Sequence, residues 1–500
     1  LATALDLSGA TQEALTLLLD TCPDALDTEG CDAFPSRYLP LMGQLALKLG
    51  QRDLAKRCFD RQSKNGDIMG HLGLACCADQ QAETLGHLNL VFESAGLQSL
   101  SSQSAEQLTL DTLCAAGPGA EPPFEQPDNQ ADAPLVSIIM PAFNAARTIT
   151  TAVRSLLAQS YRNIEIIVVD DASTDSTRQA IQPLLADPRL QLIPLGENQG
   201  AYAARNAGLE TASGAYVTTH DADDWSHPDK LALQLAEIGA NGCRASMSAW
   251  LRVEDSLNGM RNWLSTGRYV VKNHSSFLAK RKDVAALGGW LPLRIAADSD
   301  LIERFLARYG AESLAIALPD IPLSFARADV TSLTNTKSTH AATKAAGLRR
   351  NIAEISWFWI EMGVTDQSGE GARLRWTALE DLFNPSPADL LIFADLSDPE
   401  EVEAIADALL TRPETRDVAI FPVTRPHKVQ GGPEAIRRFC QAAGFLISNP
   451  RVRLCSTSDF APPHNGAFQV ANRTISPVSL EEARMIARQS LGSEALLSEA

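Results

Sequence analysis

Paired cysteines, long apolar runs and a surplus of basic residues are all missing from this 500-residue chain. Its nine cysteines, at 22, 31, 58, 76, 77, 114, 243, 440 and 455, are odd in number, scattered and without Cys-x-x-Cys spacing. That excludes a disulfide framework or a zinc site and fits reduced thiols in a cytoplasmic protein, with Cys76-Cys77 as helix packing. No apolar stretch approaches the roughly 18 residues of a membrane span. The N-terminus also lacks the charged-then-apolar order of a secretory signal. Lysine and arginine number 43 against 61 aspartates and glutamates, a net charge of -18. A nucleic-acid-binding surface is therefore not expected, although a local site can still hold a nucleotide. The first residue is Leu1 and not Met, so a piece of a longer protein is expected.

Hydrophobic residues make up 45% of the chain and charged ones 21%, the balance of a soluble globular protein. The length exceeds what one core organises, and two to four domains are expected. Residues 1–115 lack β-rich runs and show helical periodicity, as in Glu13-Ala14-Leu15-Thr16-Leu17-Leu18-Leu19. Leu54-Ala55-Lys56-Arg57-Cys58-Phe59 carries an Ala-x-x-x-Phe step similar to tetratricopeptide helix pairs, without a clean repeat of about 34 residues. Such a region is either a docking surface for a protein partner or a cap on its neighbour. Residues 116–133 are rich in Pro, Gly and acids and form a linker.

From Pro134 strands and helices alternate with short connections. Leu135-Val136-Ser137-Ile138-Ile139-Met140 is a strand, and a helix follows over about 145–159. Ile164-Glu165-Ile166-Ile167-Val168-Val169 is a strand ending in Asp170-Asp171, with a helix to about Leu185. A third strand over 190–194 leads to a helix across 201–209, and a fourth spans 216–219. The pattern implies parallel pairing with helices on both faces, and ligands then bind beyond the carboxyl ends of the strands. The fourth strand empties into His220-Asp221-Ala222-Asp223-Asp224. Three acids this close repel one another unless a cation or a donor takes up their charge. Oxygen ligands favour Mg2+ or Mn2+, which commonly bridge carboxylates to substrate phosphates. The bland alternative is a solvated acidic turn before the next helix.

Four stretches then make a resemblance. Val136 through Asn144, Val168-Val169-Asp170-Asp171-Ala172-Ser173-Thr174-Asp175, Asn198-Gln199-Gly200 with Ala204-Arg205-Asn206-Ala207-Gly208, and Asp221-Ala222-Asp223-Asp224 resemble successive motifs of the family-2 glycosyltransferases, in order over about 90 residues. The resemblance implies a GT-A mixed sheet over 134–340 and a nucleoside-diphosphate sugar donor, UDP-sugar favoured. It implies that Pro141 and Phe143 line the base pocket, that Asp171 rather than Asp170 meets the base, and that Arg205 approaches the base or diphosphate. Asp221 would begin the acidic motif, and Asp223 and Asp224 would carry ribose and Mn2+ or Mg2+ contacts. The readings beside these are a helix cap after Ser173 for Asp171 and a surface helix residue for Arg205.

Beyond Trp225, strands are expected over 245–253 and 268–272, and Asn273-His274-Ser275-Ser276 returns toward the cleft, where His274 is an acceptor-side candidate. Leu287-Gly288-Gly289-Trp290 resembles the family's Gly-Gly-aromatic segment, with Trp290 either a stacking face for a sugar or core packing. Ala297-Asp298-Ser299-Asp300-Leu301-Ile302-Glu303-Arg304 resembles its Glu-Asp-x-x-Leu-x-x-Arg motif, with Ala297 in place of the usual acid. By register Asp298 matches the general base that an inverting transfer needs. Asp300 is the rival, about 200° round a helix from it. Segments 322–327 and 331–334 would close the domain.

Residues 341–370 read as a helical connector with an aromatic cluster at Trp357, Phe358 and Trp359. Residues 371–500 form a small Rossmann-like α/β region: strands at 389–395, 418–422 and 452–455, helices at 399–411 and 434–446. It has no Gly-x-Gly-x-x-Gly or phosphate-loop pattern and is either an incomplete second transferase domain or a structural partner. The whole is thus a multi-domain α/β chain with a helical, tetratricopeptide-like N-terminus. The resemblance implies a metal-dependent inverting glycosyltransferase acting on a glycan acceptor in bacterial surface or capsular polysaccharide synthesis, cytoplasmic or peripheral at the inner face of the membrane. The alternatives are a scaffold with a degenerate transferase domain and a nucleotidyltransferase.

Overall fold

The computed structural model describes residues 2–7, 10–21, 38–115, 133–257, 259, 267–293, 295–328, 352–353, 356, 360, 363–368, 390–394, 399–411, 418–422 and 452–454. Nearly all of the expected linker and most of the connector, including its aromatic cluster and the 331–334 segment, lie outside the described residues. The chain falls into two compact units, Leu1–Ala285 with Ala311–Val330, and Ala286–Gly310 with Thr331–Ala500.

The first unit opens with helices α1 (Ala2–Leu7), α2 (Thr11–Thr21), α3 (Leu39–Lys48), α4 (Arg52–Lys64), α5 (Gly70–Cys76) and α6 (Gln81–Ser94). In α4, buried Ala55, Cys58, Phe59 and Gln62 recur at helical spacing, so one face goes inward while Arg and Lys occupy the other. Phe59 is gripped from two sides. A Cβ built on Gly43 of α3 would lie 2.4 Å from its ring, and one on Gly73 of α5 would lie 2.2 Å away. Two three-residue strands, β1 (Leu100–Ser102) and β2 (Leu113–Ala115), then pair antiparallel. A region expected to hold no strand thus contains a short pair, whose serines and cysteine gave no alternating signal.

The main sheet is built from β3 (Val136–Ala142), β4 (Ile164–Asp170), β5 (Leu190–Pro194), β6 (Tyr216–Thr219), β7 (Trp225–Ser226), β8 (Ala245–Val253), β9 (Val270–Lys280) and β10 (Leu314–Arg327), in the order β5-β4-β3-β6-β9-β8-β10-β7. The first four run parallel, with β3 and β4, the apolar runs buried on both faces, at the centre of the set. Strand β9 is antiparallel to both β6 and β8, β10 is parallel to β8, and β7 is antiparallel to β10, giving a mixed sheet. Helices α7 (Ile149–Leu157), α8 (Thr177–Ile181), α9 (Ala201–Thr211), α10 (Lys230–Asn241) and α11 (Arg281–Ala286) connect the strands.

Three elements differ from expectation. Helix α7 starts late because the Ala145 and Ala146 N–H groups donate to Thr177 Oγ1 and Asp175 Oδ2. Helix α8 gives way at Gln182 to a 3-10 turn that contains Pro183, whose ring does not suit a helix interior. Strand β9 runs through Asn273, His274, Ser275 and Ser276, which sit inside the sheet and not on a returning loop.

The N-terminal helices and the β8–β10 side of this sheet share one core, in which Phe59, Phe92, Trp225, Leu251, Leu323 and Phe325 are all buried. The Phe59 ring lies 6.0 Å from that of Tyr269, and Trp225 stacks on Phe325 at 5.4 Å. A second core, with Ile138, Val153, Ile166 and Leu231, fills the β3–β4 side.

In the second unit, α12 (Ala297–Tyr309) is followed by β11 (Leu390–Ala394), α13 (Pro399–Thr411), β12 (Val418–Pro422) and β13 (Val452–Leu454), and the three strands form a parallel sheet in chain order. The helix expected over 434–446 lies outside the described residues. No described helix is long and apolar enough to cross a membrane.

The grip on Phe59 yields a stability prediction. Gly73→Ala forces a methyl group into the Phe59 ring and should cost about 1–3 kcal/mol, read as a lower urea midpoint. Gly86→Ala, on α6 with nothing within 4 Å, should instead gain about 0.5–1 kcal/mol. Equal midpoints for the two variants would contradict the packing described.

Candidate active site

The carboxyl ends of β3 and β4 are laced together before any acid is considered. Asn144, in the left-handed region at φ 51, accepts the Thr174 N–H on Oδ1 at 2.9 Å and donates its own N–H to Ser173 Oγ at 2.9 Å. Pro141 is half-buried, while Phe143 is 48% exposed and offers an aromatic face at this edge. Buried Asp170 accepts the Ser173 N–H on one oxygen and pairs with Arg178 through the other. Asp171 is also buried, and its two oxygens accept the Gln199 and Gly200 N–H groups at 2.8 Å each. Asp171 does not cap the helix that follows, whose first N–H, from Thr177, donates to Asp175 Oδ1 at 2.9 Å. Asp171, placed at a base pocket by resemblance, is engaged on both oxygens and fixes the entry to α9.

Beyond β6 the chain turns back on itself, the Asp224 N–H donating to the Asp221 carbonyl at 3.2 Å. Asp221 is clamped. Its Oδ1 accepts from Arg205 Nη2 at 2.7 Å and its Oδ2 from Ser275 Oγ at 2.8 Å. Arg205 is only 4% exposed, which rules out a surface helix residue; α9 carries it inward as the counter-ion of the first acid. Ser275 is the residue of the 273–276 segment that reaches the acids. His274, the candidate there, is its half-buried neighbour on β9.

His220 is buried and holds the turn from behind. Burial and the nearby Lys230 charge push its pKa down to about 3, so the ring is neutral. Its Nδ1–H then donates to the Asp221 carbonyl at 2.8 Å, leaving Nε2 to accept from Ser226 Oγ at 2.9 Å. Ser226 in turn accepts from Lys230 Nζ at 3.2 Å. Lys230 is buried, and desolvation brings its ammonium down to about 8 against the opposing pull of Asp224 and Asp221.

The other two acids are left crowded. Asp223 is half-buried; burial and the Asp221 charge raise its pKa to about 6, against a lowering by Arg252 and Arg327. Asp224 is buried, and burial together with Asp223 and Asp221 raises it well above the carboxylate range, with Arg252 and Lys230 opposing. Among the described residues no three His, Cys, Asp or Glu side chains converge as a complete metal shell. Two crowded carboxylates nonetheless fit a divalent ion that takes its remaining ligands from phosphate and water, because such an ion relieves the repulsion raising both pKa values. Lys230, Arg252 and Arg327 were not singled out from sequence. Each is a lone cation in an otherwise ordinary strand or helix.

In the second unit, Ala296 adopts φ 64 and α12 begins at Ala297. Asp298 is half-exposed, with Oδ1 accepting the Ser299 N–H at 2.9 Å. Asp300 is buried and committed: Oδ2 accepts from Arg304 Nε at 2.8 Å and Oδ1 from Ser356 Oγ at 2.8 Å. Arg304 also donates to the Leu287 and Gly289 carbonyls at 2.7 and 2.8 Å, fastening the Gly-Gly turn to α12. Asp300, expected as an acceptor-side residue, is instead half of a structural ion pair. Trp290 is buried, so its indole belongs to the packing and presents no open face for a sugar.

Comparison with known proteins places this arrangement. Residues 137–286 match the model of Glycosyl transferase family 2. An uncharacterized glycosyltransferase of Haemophilus influenzae is 48% identical over 103 residues, 20% of this chain and 41% of that protein. The succinoglycan biosynthesis protein ExoO of Rhizobium meliloti is 39% identical over 114 residues, 23% of this chain and 32% of that protein. WfgD of Escherichia coli, named a UDP-Glc:alpha-D-GlcNAc-diphosphoundecaprenol beta-1,3-glucosyltransferase, is 41% identical over 107 residues, 21% of this chain and 42% of that protein. The chain thus spans less than half the length of each of these relatives. The mixed sheet with helices on its faces fits the GT-A architecture, and residues 137–286, which carry Asp171, Arg205 and the acidic turn, are a family-2 glycosyltransferase domain.

Proposed function

We propose that this chain is a metal-dependent inverting glycosyltransferase that moves a sugar from a nucleoside-diphosphate sugar, UDP-sugar favoured, to a hydroxyl of a glycan acceptor in bacterial surface polysaccharide synthesis. The observation that carries the reading is the division of labour in the 221–224 turn: Asp221 is ion-paired by Arg205 and hydrogen-bonded by Ser275, while Asp223 and Asp224 are crowded together at the carboxyl edge of the parallel strands. Phe143, exposed on the same edge, supplies a flat face for a base. The UDP-Glc named for WfgD supports a uridine donor.

In this reading Asp223 and Asp224 would hold a Mn2+ or Mg2+ ion. When bound, that ion takes up the negative charge of the departing nucleoside diphosphate. Arg205 pairs with Asp221 and holds it in place beside the other two acids. Asp298 accepts the proton of the acceptor hydroxyl as its oxygen bonds to the anomeric carbon and the bond to the diphosphate breaks. The commitment of Asp300 to Arg304 and Ser356 supports Asp298 as the base over its rival. The continuous core of helices and sheet supports a helical region that is part of the transferase unit.

Incubation with a panel of nucleotide sugars and Mn2+ should release nucleoside diphosphate from at least one donor. Asp298→Asn should lower turnover by about 100- to 10,000-fold with little change in stability. Asp300→Asn should instead destabilise the fold, by about 3–5 kcal/mol for a broken buried pair. Release from no donor by the wild-type chain would defeat the proposal.

The raised carboxyl groups give a pH prediction. A folded-state pKa above the unfolded one means that the native state binds the proton more tightly. The stability that proton contributes is present at low pH and lost as pH rises through about 6 for Asp223. A cation competes for the same oxygens, so Mn2+ should raise the melting temperature more at pH 7.5 than at pH 5, and Asp223→Ala should abolish the difference. An equal Mn2+ shift at the two pH values would argue against these acids as the ion's ligands.

A further inference from the structure

Arg327, the last residue of β10, has a side chain only 2% exposed, and the proposed reaction makes no use of it. A buried guanidinium is tolerated only where its donors find acceptors. Here all three nitrogens do. Nη2 donates to Asp111 Oδ1 at 2.7 Å, Nη1 donates to Asp255 Oδ1, and Nε donates to the backbone carbonyl of Asp223 in a longer bond of 3.4 Å.

Each partner is itself held. Asp255 accepts from Arg147 Nη1 at 2.9 Å through its second oxygen, and its carbonyl accepts the Leu110 N–H at 3.0 Å. Asp111 Oδ1 also accepts from Thr151 Oγ1 on α7 at 2.6 Å. Besides its charge effect on Asp223, the cluster sets a geometry. A guanidinium is a rigid planar fork, and fixing two of its corners on Asp111 and Asp255 fixes where the third points. The third points at the peptide joining Asp223 to Asp224, whose plane sets the directions of both side chains.

We propose that Arg327 is a positioning residue for the Asp223-Asp224 pair, and that Asp111, from the segment after α6, is its anchor, so that the N-terminal region contributes to the transferase site. The consequence for catalysis rests on the function proposed above; the positional claim does not.

The test uses the full chain with Asp111→Asn, Asp111→Glu and Arg327→Lys. Amide hydrogen exchange over 221–226 should speed up by roughly tenfold in Asp111→Asn and Arg327→Lys, a loss of about 1.4 kcal/mol of local protection. Exchange in β3 and β4 should not change, and Asp111→Glu should restore the wild-type rate. Nucleoside diphosphate release should fall by about 10- to 100-fold in kcat, with a higher Mn2+ half-saturation and an unchanged melting temperature for Asp111→Asn. The Asp111 side chain is 42% exposed, so this variant carries the test even if Arg327→Lys fails to fold. Unchanged exchange over 221–226 in Asp111→Asn overturns the proposal, whatever the activity. Faster exchange in a chain that processes no donor upholds the positioning and overturns the function.

Discussion

Everything at this site follows from placing three carboxylates within four residues at the end of a buried strand. In water the arrangement would be unremarkable, but at the edge of a packed sheet each ionised acid raises the cost of the next. The fold gives one charge two partners. Arg205 arrives from α9 and Ser275 from β9, so Asp221 is satisfied by two elements on opposite sides of β6. The remaining pair keeps its repulsion, and that is what the proposed cation would relieve. The cations nearby, Lys230, Arg252 and Arg327, moderate the repulsion without cancelling it.

Compensation of this kind demands that the surrounding elements hold still, and the helical N-terminus explains part of how they do. Phe92 lies 4.7 Å from the His227 ring and 6.2 Å from that of Phe325, while His227 Nε2 pairs with the Gln98 carbonyl and Asp229 accepts the Gln98 N–H. These contacts brace the start of α10, the helix that carries Lys230 toward the acids. A core that runs unbroken from α4 to β10 makes the helices a second wall of the sheet's open side.

Much of this was legible in the chain itself. The strands β3 and β4 announce themselves because they are apolar on both faces, β6 because its residues favour strands, and the acids after them because nothing local accounts for such a cluster. The strand over 418–422 was readable as an apolar run, and the helix over 399–411 by Pro399 at its start and the apolar residues spaced along it. Polar strand interiors hid the rest: Ser275 and Ser276 look like a loop, and within β9 they fall where its pairing with β8 is irregular and side-chain bonds hold them. Arg327 was out of reach altogether, since its three acceptors lie 72, 104 and 216 residues away in sequence. Local pattern encodes periodicity, whereas a buried ion pair is defined by where distant segments meet.

The two aspartates at the start of α12 show how far the same logic extends. Two positions along a helix is about 200° of rotation, so the pair must face different surroundings. Asp300 turns inward, where Arg304 and Ser356 occupy its oxygens and Arg304 gathers in the carbonyls of the Gly-Gly turn. That cluster fixes the first turn of the helix and, with it, the direction of Asp298. A base must be both held and accessible, requirements that one side chain on a flexible loop would not meet together. In the proposed reaction they are divided: the buried acid supplies the rigidity, and half-exposed Asp298 is the one assigned the proton transfer.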